Sequence, residues 1–475
     1  MPRLAWFTPL PPTRSGIAAY SAALLPRLAG QYDIDVFTDP APGPEAGWAG
    51  GPPRHWAHDF AWKHFQNPYD LTVYQMGNAA CHDFIWPHLA RYPGLVVLHD
   101  GQLHHARSRA LLLAGRPDDY RAEFRYNHPD APPEVAELVI STLAGSLYYF
   151  WPMLRWVART ARLVAVHAQG LAADLRAEFP GVEVLRIRQG MADPTSDDAR
   201  DAGLALRVRH SIPAGGVLFG AFGLITPEKR ISAALRGLAQ LAAERRDVYL
   251  LLAGGAVDHY DAISEARALG VEGRVRLTGY VPDEDLPAYL AAADVCLCLR
   301  WPTSRETSHP WIRAVAAAKP TIVTDLAHAS EMPSLEPGTW KVLAPAFPEA
   351  GISADPVSVS VDVLDEEASL TLAMRRLASD AALRENLGRA GRACWQASHT
   401  MDCTVADYRR VIARAIERPA PRVSGLPAHL LRDGTEEARR LAAQMGVAID
   451  FLERRDNAGG PAAGGPALDL PQAGR

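Results

Sequence analysis

The stretch VCLCLRWPTSRETSHPWIRAVAAAKPTIVTD, residues 295–325, decides the fold class. It predicts a strand at 295–299, a polar turn, an Ala-rich helix and a second strand at 321–324. Strands that alternate with helices in this way are typical of a parallel, doubly wound α/β sheet. In the turn, Glu306 stands directly before the predicted helix start, and Arg313 falls on the helix itself.

The same alternation runs through most of the chain. In the first half, strands are predicted at 4–8, 34–38, 71–75, 95–98, 163–166 and 182–187, with helices at 17–29 and 81–91. In the second half, strands are predicted at 217–222, 248–253, 275–278, 295–299 and 321–324, with a helical region at 365–392. The polar segment PTSDDARD, 194–201, separates the halves. We therefore predict two doubly wound α/β domains, 1–198 and 199–398, with a cleft between them.

The C-terminal part of the chain carries less information. Residues 400–417 read as a helix, and a charged helix is predicted at 435–455 after a Pro-rich joint. The last twenty residues are mainly Gly, Pro and Ala, which offer little to bury, so we predict disorder there.

Composition limits the class of protein. The chain has 475 residues, of which 48% are hydrophobic and 22% charged, as in a globular domain protein. A net charge of -5 gives no indication of nucleic-acid binding. The N-terminus lacks the apolar core of a signal peptide, and no apolar run is long enough to span a membrane, so we expect a cytoplasmic protein. The five cysteines are scattered, which predicts no metal site.

Two loops that follow predicted strands have the character of anion sites. In PLPPTRSGIAAYS, residues 9–21, Ser15 and Gly16 open a helix whose N–H groups and dipole favour an anion. In FGLITPEKR, residues 222–230, Lys229 begins a predicted helix and can neutralise a diphosphate, with Arg230 beside it. The alternatives are a glycine that serves only the turn and a solvated helix start.

Further polar loops follow buried strands. LHDGQLHH, residues 98–105, places His99 and Asp100 at a strand end, with His104 close behind. A lone histidine more often packs than catalyses, and the strand-end position favours His99 over His104 as a functional residue. The chain has no G-x-x-x-x-G-K-[ST], no G-x-G-x-x-G after the first strand and no G-x-S-x-G, which argues against P-loop NTPases, dinucleotide dehydrogenases and α/β-hydrolases.

Taken in order, these loops resemble those of the retaining GT-B glycosyltransferases of family 4. The matching segments span roughly residues 1–415 and include PLPPTRSGIAAYS, VVLHDGQLHH, FGLITPEKR, the stretch from VRLTGYVPDEDL to SRETS, and AAAKPTIVTD. The resemblance implies two Rossmann-like domains that face each other across a cleft, with a nucleoside-diphosphate sugar as donor and no obligatory metal or other cofactor. A further implication is a C-terminal helix at 399–418 that crosses back to the first domain. It also implies a carbohydrate or lipid-linked acceptor, as in polysaccharide biosynthesis.

Individual roles follow from the resemblance alone. Lys229 would bind the donor diphosphate, together with the N–H groups of Thr307 and Ser308. Glu306 would contact hydroxyls of the transferred sugar, His99 would lie near the reacting carbon, and Gly16 would face the diphosphate from the other domain.

The sequence departs from the family pattern at two positions. Leu224 stands where an arginine is usual, and Arg313 stands where a ribose-binding glutamate is expected, although an arginine has only donors to offer. A non-catalytic nucleotide-sugar or glycan-binding protein, or another GT-B enzyme such as a sugar-nucleotide 2-epimerase, therefore remains an alternative. The aromatic stretch 146–160 is read either as an interfacial membrane helix or as a helix packed on the first domain.

Overall fold

The computed structural model describes residues 1–39, 50–245, 247–305, 307–325, 331–348, 351, 353–432 and 435–447. Residues 1–426 form one compact unit, and residues 427–475 form a second. The first unit contains two mostly parallel sheets flanked by helices. Of the helices described, none combines the length and apolarity that a membrane crossing requires.

The N-terminal sheet is built from apolar segments of the first half of the chain. Its strands are β1 (Arg3–Phe7), β2 (Asp33–Thr38), β3 (Arg54–Trp56), β4 (Leu71–Met76), β5 (Leu95–Leu98), β6 (Leu163–Val166) and β7 (Val184–Arg186). In the described part of the chain they are all parallel and lie in the order β3-β2-β1-β4-β5-β6-β7. The order reverses direction between β1 and β4. Helices cover both faces, which explains why β4, β5 and β6 are fully buried.

The C-terminal sheet repeats this winding. Its strands are β8 (Val217–Phe222), β9 (Val248–Ala253), β10 (Val275–Leu277), β11 (Val295–Cys298), β12 (Thr321–Thr324), β13 (Ser334–Leu335), β14 (Val342–Leu343) and β15 (Ser358–Val361). They lie in the order β10-β9-β8-β11-β12-β15-β13-β14, with β14 antiparallel to its neighbour. Here the strand order reverses between β8 and β11. The fold-class prediction of two doubly wound α/β domains is confirmed.

Helices connect the strands and bury one face against the sheets. Those of the first half are α1 (Gly16–Leu28), α2 (Phe60–Gln66), α3 (Trp86–Arg91), α4 (His104–Leu113), α5 (Pro117–Asn127), α6 (Glu134–Ile140), α7 (Leu147–Phe150), α8 (Arg155–Thr160) and α9 (Gln169–Glu178). Those of the second half are α10 (Asp197–Arg209), α11 (Ile231–Glu244), α12 (Ala262–Ala268), α13 (Leu286–Ala292), α14 (His309–Ala316), α15 (Glu366–Ser379), α16 (Ala381–Ser398) and α17 (Met401–Glu417).

The last of these helices, α17, packs on the N-terminal sheet although it follows the C-terminal one. Tyr408, Val411 and Ile412 are fully buried in the core that contains Trp6 of β1. The ring centroids of Trp6 and Tyr408 lie 5.5 Å apart. The second half of the chain therefore ends in a helix that packs against the N-terminal sheet.

Between β5 and β6 the chain inserts α4 to α8, which form a small core of their own around Tyr120, Phe124 and Met153. A buried ion pair joins Arg107 to Glu123, with Arg107 Nε 2.8 Å from the carboxylate. The stretch 146–160 is not one interfacial helix. It divides into α7 and α8, and its residues Met153, Leu154 and Trp156 are buried.

Some sequence-based boundaries are wrong for identifiable reasons. The predicted helix 81–91 is a 3₁₀ helix at Ala80–Ile85 followed by α3, because Pro87 is favoured in a first helical turn and not inside a helix. Lys229 ends a 3₁₀ helix, Pro227–Lys229, and does not begin α11. The short strands β3, β13, β14 and β15 were not predicted.

The second unit contains α18 (Ala428–Leu431) and α19 (Thr435–Gln444) in its described part. The charged helix predicted at 435–455 begins at Thr435 but ends at Gln444, before a turn in which Gly446 has a positive φ of 70°. Residues 448–455 of that prediction, and the predicted disordered tail, lie outside the described residues.

Candidate active site

A cavity of about 350 Å³ lies between the two sheets, next to the positions at which the strand order of each sheet reverses. Ligands of doubly wound sheets bind beyond the carboxyl ends of the strands, at the point where strand order reverses. From the N-terminal sheet, the lining comes from the loops after β1, β4 and β5. From the C-terminal sheet, it comes from the ends of β8, β11 and β12 and from the start of α14. The cavity is large enough for part or all of a small ligand.

Two helices begin at this cavity. At the start of α1, the hydroxyl of Ser15 accepts a hydrogen bond from the N–H of Ile17 at 3.2 Å. At the start of α14, the hydroxyl of Ser308 accepts one from the N–H of Trp311 at 3.3 Å. A Cβ added to Gly16 would lie 3.8 Å from His309 Nδ1, so the two helix starts approach each other closely. Together they present N–H groups and positive dipole ends to the cavity.

Lys229 and Arg300 bring positive charge to the same space. The ammonium group of Lys229 donates a hydrogen bond to the carbonyl oxygen of Phe222 at the end of β8. Burial, and secondarily the charge of Arg300, lowers the pKa of Lys229 from 10.5 to about 8. Among the described residues that line the cavity, Asp100 is the only acid, and its Oδ2 accepts a hydrogen bond from the Asn78 N–H at 2.8 Å. The cavity is therefore suited to an anion.

His99 lines the cavity, but both nitrogens of its ring are engaged within the protein. Its Nδ1 lies 3.2 Å from His167 Nε2, and its Nε2 lies 2.7 Å from the side-chain amide oxygen of Gln75. Because His167 Nδ1 donates to the carbonyl oxygen of Ile187 at 2.9 Å, the Nε2 of a neutral His167 carries no proton, and a neutral His99 has a single N–H, which it can donate either to His167 or to Gln75. Burial holds the pKa of His99 well below its usual value, with His167 as a further cause. The ring is neutral at physiological pH.

Several other predicted residues lie at the cavity. Ser15, Gly16, Asp100, Thr307 and Ser308 are all part of its lining. Glu306 lies outside the described residues.

The structure places three predicted residues elsewhere. Arg230 has left-handed backbone geometry, with φ of 57°, and its Nε lies 2.7 Å from Glu366 Oε1. Arg313 Nη1 lies 3.0 Å from Asp283 Oδ1. His104 is fully buried in the inserted helices, where its Nε2 lies 2.7 Å from the hydroxyl of Tyr120. None of these three is a lining residue, because each is held by a partner away from the cavity.

Among the lining residues that sequence reasoning missed, five have nitrogen-bearing side chains: Asn78, His82, Gln189, Arg300 and His309. Three of them had a usable signal, because Asn78, His82 and Arg300 all follow a buried strand by a few residues. Gln189 and His309 come from different domains, and their side chains are hydrogen-bonded to each other across the cavity. That contact depends on how the two domains meet, which no local pattern shows.

Comparison with known proteins agrees with this geometry. Residues 216–353 match the family described as Glycosyl transferases group 1. Most of the C-terminal sheet and both cationic lining residues fall within the match.

Solved structures resemble most of the chain. Sucrose-phosphate synthase from Thermosynechococcus elongatus covers 87% of this chain and 100% of its own, with a TM-score of 0.56 and 18% identity. The fold is that of the GT-B glycosyltransferases. A second solved structure, the Anabaena protein Alr3699/HepE in complex with UDP-glucose, covers 87% of this chain and 99% of its own, with a TM-score of 0.53 and 14% identity.

One curated relative matches over a shorter length. The 2-deoxystreptamine glucosyltransferase of Streptomyces kanamyceticus is 30% identical over 146 residues. This region is 30% of the present chain and 38% of the relative.

Proposed function

We propose that the protein is a glycosyltransferase that uses a nucleoside-diphosphate sugar as donor. The observation that carries the proposal is the anion site: the starts of α1 and α14, Lys229 and Arg300 converge on one cavity at the reversal points of both sheets. A diphosphate is the anion that these groups match, because it needs several donors and more than one positive charge. The glucosyltransferase name of the curated relative and the UDP-glucose bound to the Anabaena protein support the same class.

In the proposed reaction, negative charge develops on the diphosphate as its bond to the sugar breaks. Donors fixed in advance at the place where charge develops commonly supply the largest catalytic contribution. Lys229 and the N–H groups at the start of α14 are the fixed donors here. We further propose retention of anomeric configuration, as in the family 4 enzymes that the loops resemble, with the departing phosphate taking the proton of the acceptor.

Glu306 keeps its proposed contact with hydroxyls of the transferred sugar. His99 keeps its proposed place near the reacting carbon, but both of its ring nitrogens contact protein atoms, so neither is free to exchange a proton with a substrate. We propose that His99 positions the loop after β5, with Asp100 beside it at the acceptor side. No obligatory metal is proposed, and addition of EDTA to a turnover assay tests this point.

A second candidate is a protein that binds a nucleotide sugar without transferring it. Arg313 supports it: its guanidinium pairs with Asp283, whereas ribose hydroxyls need an acceptor. Leu224 is 56% exposed and offers no charge. Donor recognition at these positions therefore differs from the pattern that the family resemblance implies.

One experiment separates these candidates. The protein is incubated with a panel of nucleotide sugars, with and without glycan acceptors, and released nucleoside diphosphate is measured while NMR follows the sugar products. Transfer predicts release that depends on an acceptor, and a retained anomer in the product. Tight binding without release would favour the binding protein, an isomerised sugar would favour an epimerase, and an inverted linkage would contradict retention.

The acceptor is proposed to be a carbohydrate or a lipid-linked carbohydrate in the cytoplasm, with peripheral membrane contact as an option. Phe150 of α7 is 70% exposed and is the part of the stretch 146–160 that could reach a membrane surface. Sedimentation with anionic vesicles tests the contact, and a Phe150→Ser variant should reduce it.

A further inference from the structure

Arg300 lies beside Lys229 in the cavity and is supported by two neighbouring loops. Its backbone N–H donates to the Thr324 hydroxyl at 3.0 Å, which fixes it to the end of β12. The N–H of the next residue, Trp301, donates to the carbonyl oxygen of Glu228 at 2.8 Å. Because Glu228 precedes Lys229, the loop with Arg300 is tied directly to the turn with Lys229.

We propose that Arg300 is a second cationic ligand of the donor diphosphate, one that stabilises the released diphosphate more than the intact sugar nucleotide. The inference rests on the proposed function and adds to it a residue with a distinct task. Its basis is position: Arg300 lines the same cavity as Lys229 and the two helix starts, and acts on the ammonium group of Lys229 through its charge.

Charge balance gives the reason for a difference between the two states. Each helix start contributes about +0.5, and Lys229, Arg300 and the Asp100 carboxylate bring the described lining to about +2. An intact sugar diphosphate carries about -2. The released diphosphate carries about -3 once it has passed the acceptor's proton on to solvent, because its terminal phosphate is then a monoester with a second pKa of about 6. Without Arg300 the described lining falls to about +1. Because a fixed cation attracts an anion of charge about -3 more strongly than one of charge about -2, Arg300 favours the released diphosphate over the intact sugar nucleotide.

Arginine also suits this task better than lysine would. A guanidinium keeps its charge at every physiological pH and presents a planar fork to two phosphate oxygens at once. Lys229, in contrast, can lose its proton in the empty site. The two cations would then have different roles in diphosphate binding, because the charge of Arg300 does not depend on pH in the physiological range.

Calorimetric titration with inorganic pyrophosphate tests the assignment without knowledge of the nucleotide base. We compare wild type, Arg300→Lys, Arg300→Met and the matched control Arg375→Met. Arg375 pairs with Glu244 at the far end of α11, roughly 20 Å from Lys229 at 1.5 Å per helical residue. We expect Arg300→Met to weaken pyrophosphate binding about tenfold or more, Arg300→Lys to fall between it and wild type, and Arg375→Met to bind as wild type.

Thermal unfolding establishes that each variant is folded. If Arg300→Met does not fold, the comparison of wild type with Arg300→Lys still tests the inference. Equal pyrophosphate affinity in wild type and Arg300→Met, with turnover of a nucleotide sugar intact, would overturn this inference and leave the proposed function standing. Equal weakening in Arg300→Lys and Arg300→Met would also overturn it, because charge would then not be the cause. Absence of pyrophosphate binding and of turnover in wild type would overturn both.

Discussion

Replacement of Lys229 by Met should lower turnover and raise stability at the same time. The ammonium group faces the proposed diphosphate, and loss of one fixed donor of this kind commonly costs about 3–4 kcal/mol in the transition state, or about 100- to 1,000-fold in kcat. We therefore expect a fall of that size in kcat/KM for the nucleotide sugar. The measurement is the rate of nucleoside diphosphate release with saturating acceptor.

The stability change follows from the pKa of Lys229, which burial lowers from 10.5 to about 8. This difference corresponds to about 3 kcal/mol of unfavourable free energy for folding with the amine charged. The cost is fully present below pH 8, fades between pH 8 and 10.5, and is absent above, where the amine is neutral in both states. Lys229→Met removes it and also loses the hydrogen bond to Phe222, which is worth about 1 kcal/mol. The variant should thus be about 2 kcal/mol more stable at pH 7, and this advantage should shrink by pH 10.

The pH dependence of activity is a second consequence. A lysine with a pKa of about 8 is about 90% protonated at pH 7 and about 10% at pH 9, so donor binding to the empty enzyme should weaken over this range. Lys319→Met is a matched control, because Lys319 donates to the carbonyls of Ala291 and Ala293 away from the cavity. It should leave kcat/KM unchanged. Unchanged kcat/KM together with unchanged stability in Lys229→Met would refute the reasoning.

The remaining predictions concern the frame of the site. Gly101→Ala would place a Cβ 2.7 Å from the carbonyl oxygen of Ser304 in the opposite domain, so it should lower the free energy of unfolding measured by calorimetry by about 1–3 kcal/mol. The control Gly30→Ala has no atom within 4 Å of the added Cβ and should leave the free energy of unfolding unchanged. Arg107→Met removes the guanidinium paired with the buried Glu123 carboxylate and should cost about 3–5 kcal/mol in denaturant unfolding, partly restored by adding Glu123→Leu. Because burial keeps His99 neutral, wild type and His99→Phe should show the same pH dependence of kcat/KM between pH 6 and 7.

Central strands could be predicted from the sequence, whereas edge strands could not. Strands β5 and β6 have the predicted bounds because they are buried on both faces and are therefore continuously apolar. Strand β3 has only three residues, all of them half-buried, and its pairing with β2 is what makes it a strand. The strand β15 has a pattern of Ser and Val that is too short to stand out from its loops.

The site shows the same division between local and long-range information. Loops after strands supply much of the cavity lining, and chain direction alone fixes which end of a parallel sheet such loops occupy. The partner of Arg230 could not be predicted, because Glu366 lies 136 residues further along the chain. The engagement of His99 likewise depends on His167, which reaches it only when β5 and β6 pair.

A crystal structure of the protein with a bound nucleoside diphosphate tests the central claim most directly. The account predicts that the diphosphate lies between the starts of α1 and α14, with the ammonium group of Lys229 within hydrogen-bond distance of a phosphate oxygen. A diphosphate bound elsewhere, with this cavity occupied only by water, would contradict it.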